Sequence, residues 1–239
     1  MSPPIVLFSY DFSPYGQKVR QALSAAGLPF KQCDQPMMLP RPDLTALGIA
    51  HRRIPILAIG KDVYCDSAAA VDALEGLSSA MQSSPADKAF EAYGNSLIGV
   101  MLRSVDVDSM PGLVQDRATI FKDVARPDHA TLRASALSEL KISRIPLPKV
   151  EDKISAEEVS AYISGPEAPQ LSLSETDLHG IPTGTKVVVE TVDPVPGSHP
   201  QYGNLLRSTR HEVVIEIENG LRLHFPKRGF TKAPERSIL

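Results

Sequence analysis

"IVLFSYDFSPYGQKVRQALSAAGLPF", Ile5 to Phe30, holds the order of elements from which the fold is read. Its first four residues are β-prone and uniformly apolar, the pattern of a strand covered on both faces. Beyond Ser13, the residues Val19, Leu23 and Ala26 fall at helical spacing, and Gly27 followed by Pro29 supplies the stop. A short strand through Phe30 to Cys33 completes a strand–helix–strand unit. The right-handed crossover usual for such units makes its two strands parallel.

Downstream, "QPMMLPRPDLTALG" (Gln35–Gly48) predicts a loop and a short helix that Asp43 can cap and Gly48 can end. "RRIPILAIGKDVYCDSAAAVDALEGL" (Arg52–Leu77) predicts a strand, a Gly60-Lys61-Asp62 turn, a second strand and a helix from Asp66. So short a turn makes those two strands antiparallel. The order βαβ, α, ββα is that of a thioredoxin-like α/β fold, a mixed four-stranded sheet with helices on both faces. This gives a first domain over 1–80.

A Ser-rich, Pro-containing stretch, "GLSSAMQSSPADK" (Gly76–Lys88), reads as a linker. A short all-α region over 85–164 follows. Its helices are "ADKAFEAYGNSLIGVMLRSV", "PGLVQDRATIFKDV", "RPDHATLRASALSELK" and "SAEEVSAYI", the last with Ser155 as cap and Glu158 closing a capping box. A β module is expected over 178–232. "TKVVVETVD" and "HEVVIEIENGLRLHFP" are rich in β-branched residues, and Asn219-Gly220 between two such runs signals a hairpin. Short strands with Gly and Pro turns at this spacing fit a partly closed barrel better than an extension of the first sheet.

At 239 residues and 42% apolar content the chain can bury a sizeable core. A formal charge of −3, a pI near 6.1 and the lack of a long Lys/Arg run give no electrostatic footprint for nucleic acid or an anionic membrane. The N-terminus has no basic run before its apolar residues, and no stretch approaches the length of a membrane-spanning helix, so a cytoplasmic protein is expected. Cys33 and Cys65 are isolated and read as small buried hydrophobes. The histidines lack ligand spacing, so no metal site is expected.

Three places carry candidate chemistry. Ser13-Pro14 is how helices ordinarily begin, the hydroxyl accepting an orphan N–H. The same geometry lets a hydroxyl at a helix N-terminus donate to a thiolate and favour its ionised form. A cis Ile54-Pro55 bond would turn the Ile54 backbone toward a peptide ligand, which could pair with it as an added strand does, and Arg52 and Arg53 suit a ligand carboxylate. Asp66 before an Ala-rich helix is by default a cap, yet that helix start also offers N–H groups to an anion while Asp66 or Ser67 meets an ammonium.

Taken in this order and spacing, "FSPYGQKVRQALSAAGLPF", "RRIPILAIG" and "YCDSAAAVDALE" resemble the N-terminal domain of the glutathione transferase superfamily, over about residues 4 to 78. The resemblance implies glutathione as co-substrate. It implies Ser13 as the activator of its thiol, Ile54-Pro55 as the cis-proline pair at the cysteinyl backbone, and Asp66-Ser67 at the γ-glutamyl end. Arg53 resembles a basic contact to the glycine carboxylate, and Tyr10 and Tyr15 compete for the hydroxyl role. "VVIEIENGLRLHFPKRGF" (Val213–Phe230) is similar to an extra C-terminal β module of some fungal members, itself resembling a small Src-homology-3-like barrel. The family implies a homodimer and a hydrophobic electrophile, whose pocket would draw on Met101, Arg103 and Met110. The helical region is shorter than the family's. A glutathione-dependent transferase or isomerase is therefore the leading expectation, a non-catalytic scaffold using the β module the alternative, and a thiol oxidoreductase a third, against which Ser13 stands where that branch places cysteine.

Overall fold

A computed structural model describes residues 4–11, 13–81, 84, 86, 87, 112, 152–163, 180–192 and 199–234. The chain divides into two compact units, residues 1–81 with 147–239, and 82–146. The helices expected between 86 and 141, with Met101, Arg103 and Met110, lie outside the described residues. The strands and helices that carry the described core belong to the first unit.

Strand β1 (Ile5–Ser9) leads into helix α1 (Pro14–Ala25), and β2 (Lys31–Asp34) returns parallel to β1, as the strand–helix–strand reading requires. Helix α2 (Pro42–Ala46) precedes β3 (Ile56–Ile59), β4 (Asp62–Tyr64) and α3 (Ser67–Leu77). β3 is antiparallel to both β1 and β4. Alternating residues separate two apolar layers. Ile5, Leu7, Leu57 and Ile59 pack with Val19, Leu23, Ala70 and Leu74 of α1 and α3. Val6, Phe8, Ile56 and Ala58 pack on the opposite face with Leu44 of α2 and with Val159 and Ile163 of α4 (Ala156–Ile163). Each fully buried Leu, Ile, Val or Phe contributes about 1.5–3 kcal/mol relative to exposure, so both layers are needed.

Two local readings change. Asp43 does not cap α2. Pro42 takes the first helical position, which leaves Arg41 at the cap and turns the Asp43 carboxylate to the Gln35 amide, 2.9 Å away. The linker expected from Gly76 also begins later, because α3 runs to Leu77 and a 3₁₀ turn covers Ser79–Met81. At α4 the Glu158 half of the capping box is in place, Ser155 N–H donating to its carboxylate at 3.2 Å, and Ser155 Oγ donates to the same oxygen at 2.8 Å.

The larger correction concerns the β module. β5 (Lys186–Thr191), β6 (Gln201–Ser208), β7 (Glu212–Glu216), β8 (Arg222–Pro226) and β9 (Phe230–Pro234) do form, with Asn219-Gly220 turning β7 into β8 and Gly220 at φ +79° as that turn demands. They do not close into a separate barrel. β8 pairs in parallel with β4, so the described strands make one open nine-stranded sheet in the order β2-β1-β3-β4-β8-β7-β6-β5-β9. The physical reason is the exposed edge that β4 would otherwise present. Val63 and Leu223 meet there fully buried, and Arg222 faces Asp62 across the pair. No described helix is long and apolar enough to cross a membrane.

Candidate functional site

Ser13 stands at the N-cap of α1 with extended backbone angles, φ −73° and ψ 113°. Its Oγ accepts the Gly16 N–H at 3.0 Å, its own N–H reaches the Tyr10 carbonyl at 3.1 Å, and its carbonyl takes the Gln17 N–H at 2.9 Å. The residue is only 2% exposed. A hydroxyl has one proton to give and two lone pairs, so the cap consumes an acceptor site and leaves the O–H able to donate.

Gly16 is required by the crowding behind that cap. A Cβ on it would lie 2.1 Å from Ser9 Oγ and 3.2 Å from Ser13 Oγ. Gly16→Ala is expected to destabilise the fold by about 1–2 kcal/mol, overpacking outweighing the better helix propensity of alanine. Urea unfolding measures this, and Ser9→Ala in the same chain is expected to restore part of the loss. A stabilised Gly16→Ala protein would contradict the packing.

Tyr15, at the second position of α1, is half-buried. Burial raises its phenol pKa, the Asp66 charge raises it further, and the Arg53 charge partly offsets both. The phenol therefore keeps its proton at neutral pH. Those two charges belong to other segments, Arg53 to the loop entering β3 and Asp66 to the start of α3.

The Ile54–Pro55 peptide bond is cis, with Pro55 buried and Ile54 half-buried against the core. Asp66 caps α3 by accepting the Ala68 N–H at 2.8 Å, and Ser67 beside it is 5% exposed. Two helix N-termini, each with partial positive charge, are thus carried by helices packed on one face of the sheet. Tyr10 follows β1, and its carbonyl accepts the Ser13 N–H. Cys33 and Cys65 are both buried, burial pushing the Cys33 thiol up to about 12 and the Cys65 thiol well above its ordinary value, so neither is a thiolate at neutral pH. Among the described residues no group of three His, Cys, Asp or Glu side chains is placed to hold a metal ion.

Residues 7–84 match the family model of the glutathione S-transferase N-terminal domain. That glutathione S-transferase-like segment contains Ser13, Tyr15, Arg53, the cis Ile54–Pro55 pair, Asp66 and Ser67, and it spans less than half of the chain. A GST-like protein from Pseudomonas syringae shares the fold over nearly the whole length. It is 23% identical, with a TM-score of 0.66, covering 98% of this chain and 100% of that one. Partial matches are a Tau class glutathione S-transferase from mango, 15% identical with TM-score 0.38 over 57% of each chain, and glutathione transferase Omega 1C from Trametes versicolor, 17% identical with TM-score 0.34 over 66% of this chain and 67% of that one. No curated protein matches.

Two clusters gave no sequence signal. Arg41, 4% exposed, donates from Nε to the Pro36 carbonyl at 3.0 Å and from Nη2 to the Met37 carbonyl at 3.1 Å, and it also bonds the Arg52 carbonyl. It ties the 36–37 loop to the segment that carries Arg53. Asp62 receives Arg222 bidentately at 2.7 and 2.8 Å and His224 Nε2 at 3.0 Å, while His224 Nδ1 lies 3.3 Å from Glu212, which pairs with Arg207. Main-chain carbonyls and partners 160 positions apart leave no local pattern to read.

Proposed function

We propose that this chain is a glutathione-dependent protein of the transferase type. The observation that supports it most is the capping of α1 by Ser13 and of α3 by Asp66, two helices packed against one face of the sheet, with Ser67 adjoining Asp66. In this reading the γ-glutamyl carboxylate lies on the α3 N-terminus beside Ser67, and its ammonium meets Asp66. A carboxylate has about four lone-pair sites, so capping Ala68 does not exhaust Asp66. The Ile54 backbone pairs with the cysteinyl unit, and Arg53 meets the glycine carboxylate. The Ser13 hydroxyl donates to the sulfur and lowers the thiol pKa, and the thiolate attacks an electrophilic carbon, forming a C–S bond as the leaving group departs or a π bond opens. A hydrophobic electrophile, a homodimer and a cytoplasmic setting belong to the same reading.

The test is the ionisation of bound glutathione, followed by the ultraviolet absorbance of its thiolate. The apparent pKa is expected below that of the free thiol in the wild-type protein and close to the free value in Ser13→Ala. An unshifted wild-type value would remove the activating role. The second reading is a non-catalytic scaffold in which the buried Ser13 serves only as the helix cap and the β module carries a protein partner. That reading predicts glutathione binding with no change in thiol pKa.

A further inference from the structure

The Arg53 side chain does not stand on the glutathione S-transferase-like segment alone. Its guanidinium carbon lies 5.8 Å from the centroid of the Phe230 ring, at the start of β9. A Cβ placed on neighbouring Gly229 would be 3.7 Å from Arg53 Nη1, so the turn before β9 runs beside the guanidinium. Phe230 is itself held, its ring 5.3 Å from Phe225 and 5.5 Å from His51, which in turn meets Phe225 edge-on at 5.8 Å. His51 and Phe225 are both buried. The three rings form one cluster that ties the His51–Arg53 segment to β8 and β9.

Further bonds hold the approach to that segment from the same module. Gln201 Oε1 accepts the Ala50 N–H at 2.7 Å and its Nε2 donates to the Gly48 carbonyl at 3.2 Å. Asn219 Nδ2 donates to the Leu47 carbonyl at 2.8 Å. The C-terminal strands thus hold residues 47–53 along the backbone and, through Phe230, beside the Arg53 side chain.

We propose that Phe230 is a positioning residue for the glutathione site, its ring seating the Arg53 guanidinium where it meets the glycine carboxylate. This rests on the glutathione reading above. A guanidinium over an aromatic face is restricted in its orientation by the ring without spending an N–H donor on it. The β module then has a part in ligand recognition without touching the ligand.

The experiment is calorimetric titration of the full-length chain with reduced glutathione and with its glycine ethyl ester, which lacks the carboxylate. Wild-type protein is expected to bind glutathione about tenfold more tightly than the ester, as a charge-assisted contact would give. Arg53→Ala is expected to abolish that preference. Phe230→Leu, which keeps an apolar side chain in the cluster, is expected to reduce it about three- to tenfold while leaving ester affinity unchanged, and Phe230→Tyr to retain it. Equal loss for both ligands in Phe230→Leu would show a general packing role and overturn the proposal. Equal wild-type affinity for the two ligands would overturn it as well, while leaving the thiol and γ-glutamyl contacts standing. Failure of the folded wild-type protein to bind either ligand would overturn the glutathione reading and the proposal with it.

Discussion

Asp62→Ala is expected to lower the unfolding free energy by about 3–5 kcal/mol, the usual result of removing one partner from a buried ion pair. The Asp62 side chain is 7% exposed and holds two cationic groups, Arg222 at 2.7 Å and His224 at 3.0 Å. Without it both lose a buried countercharge, at the junction of β4 and β8. The edge of the thioredoxin-like sheet and the first strand of its extension would separate there. Urea unfolding of the variant measures the effect, and a loss below about 1 kcal/mol, the level of an exposed pair, would show that the network does not secure the junction.

The same cluster gives a pH dependence. Burial pushes the His224 imidazole down, but hydrogen bonds to Asp62 and Glu212, and their charges, outweigh that and leave its pKa raised. Glu212 is raised by burial but lowered more by His224 and Arg207. Arg222 and the Tyr64 ring, whose centroid is 4.5 Å from His224, complete the surroundings. A base with a raised folded-state pKa stabilises fully below its unfolded value, about 6.5 for histidine, and loses that contribution as pH rises through the folded value. Stability is therefore expected to decline as pH rises from about 6.5, and His224→Gln to flatten that decline. A wild-type profile that rises over this interval while the variant's stays flat would contradict the charged imidazole.

On the glutathione reading proposed above, Ser13→Ala is expected to reduce conjugating turnover by about a hundred- to a thousandfold, the range for deleting one preorganised donor to an anion. It is also expected to cost about 1 kcal/mol of stability through the lost cap. The two effects have different origins, since Gly16 needs only an acceptor whereas the thiolate needs the donor. Ser13→Thr keeps both and is expected to retain most of each. Tyr15→Phe serves as the competing deletion at the same helix start. Turnover unchanged in Ser13→Ala and lost in Tyr15→Phe would transfer the role to the phenol.

The thioredoxin-like half was legible because its determinants are local. Val19 and Leu23 recur at helical spacing, Ser13-Pro14 and Gly27 mark the ends of α1, and the Gly60-Lys61 turn forces β3 against β4. The Asn219-Gly220 hairpin was legible for the same reason. What joins the halves was not. The β4–β8 pairing depends on Asp62 finding Arg222, and neither residue differs in its neighbourhood from an ordinary surface charge. Asp43 misled because capping and first-turn positions favour the same side chain, and Pro42 decided between them. At the candidate site the individual residues could be named, but the grip of Phe230 on Arg53 spans the chain and has no periodicity.

The measurement that bears most directly on the account is calorimetric titration of the purified full-length protein with reduced glutathione, beside Ser67→Ala as control. Saturable one-site binding, weakened in the control, is the predicted result and would fix the γ-glutamyl end at the α3 N-terminus. No heat of binding from a protein shown to be folded, or binding indifferent to Ser67, would contradict the placement of glutathione at the paired helix starts.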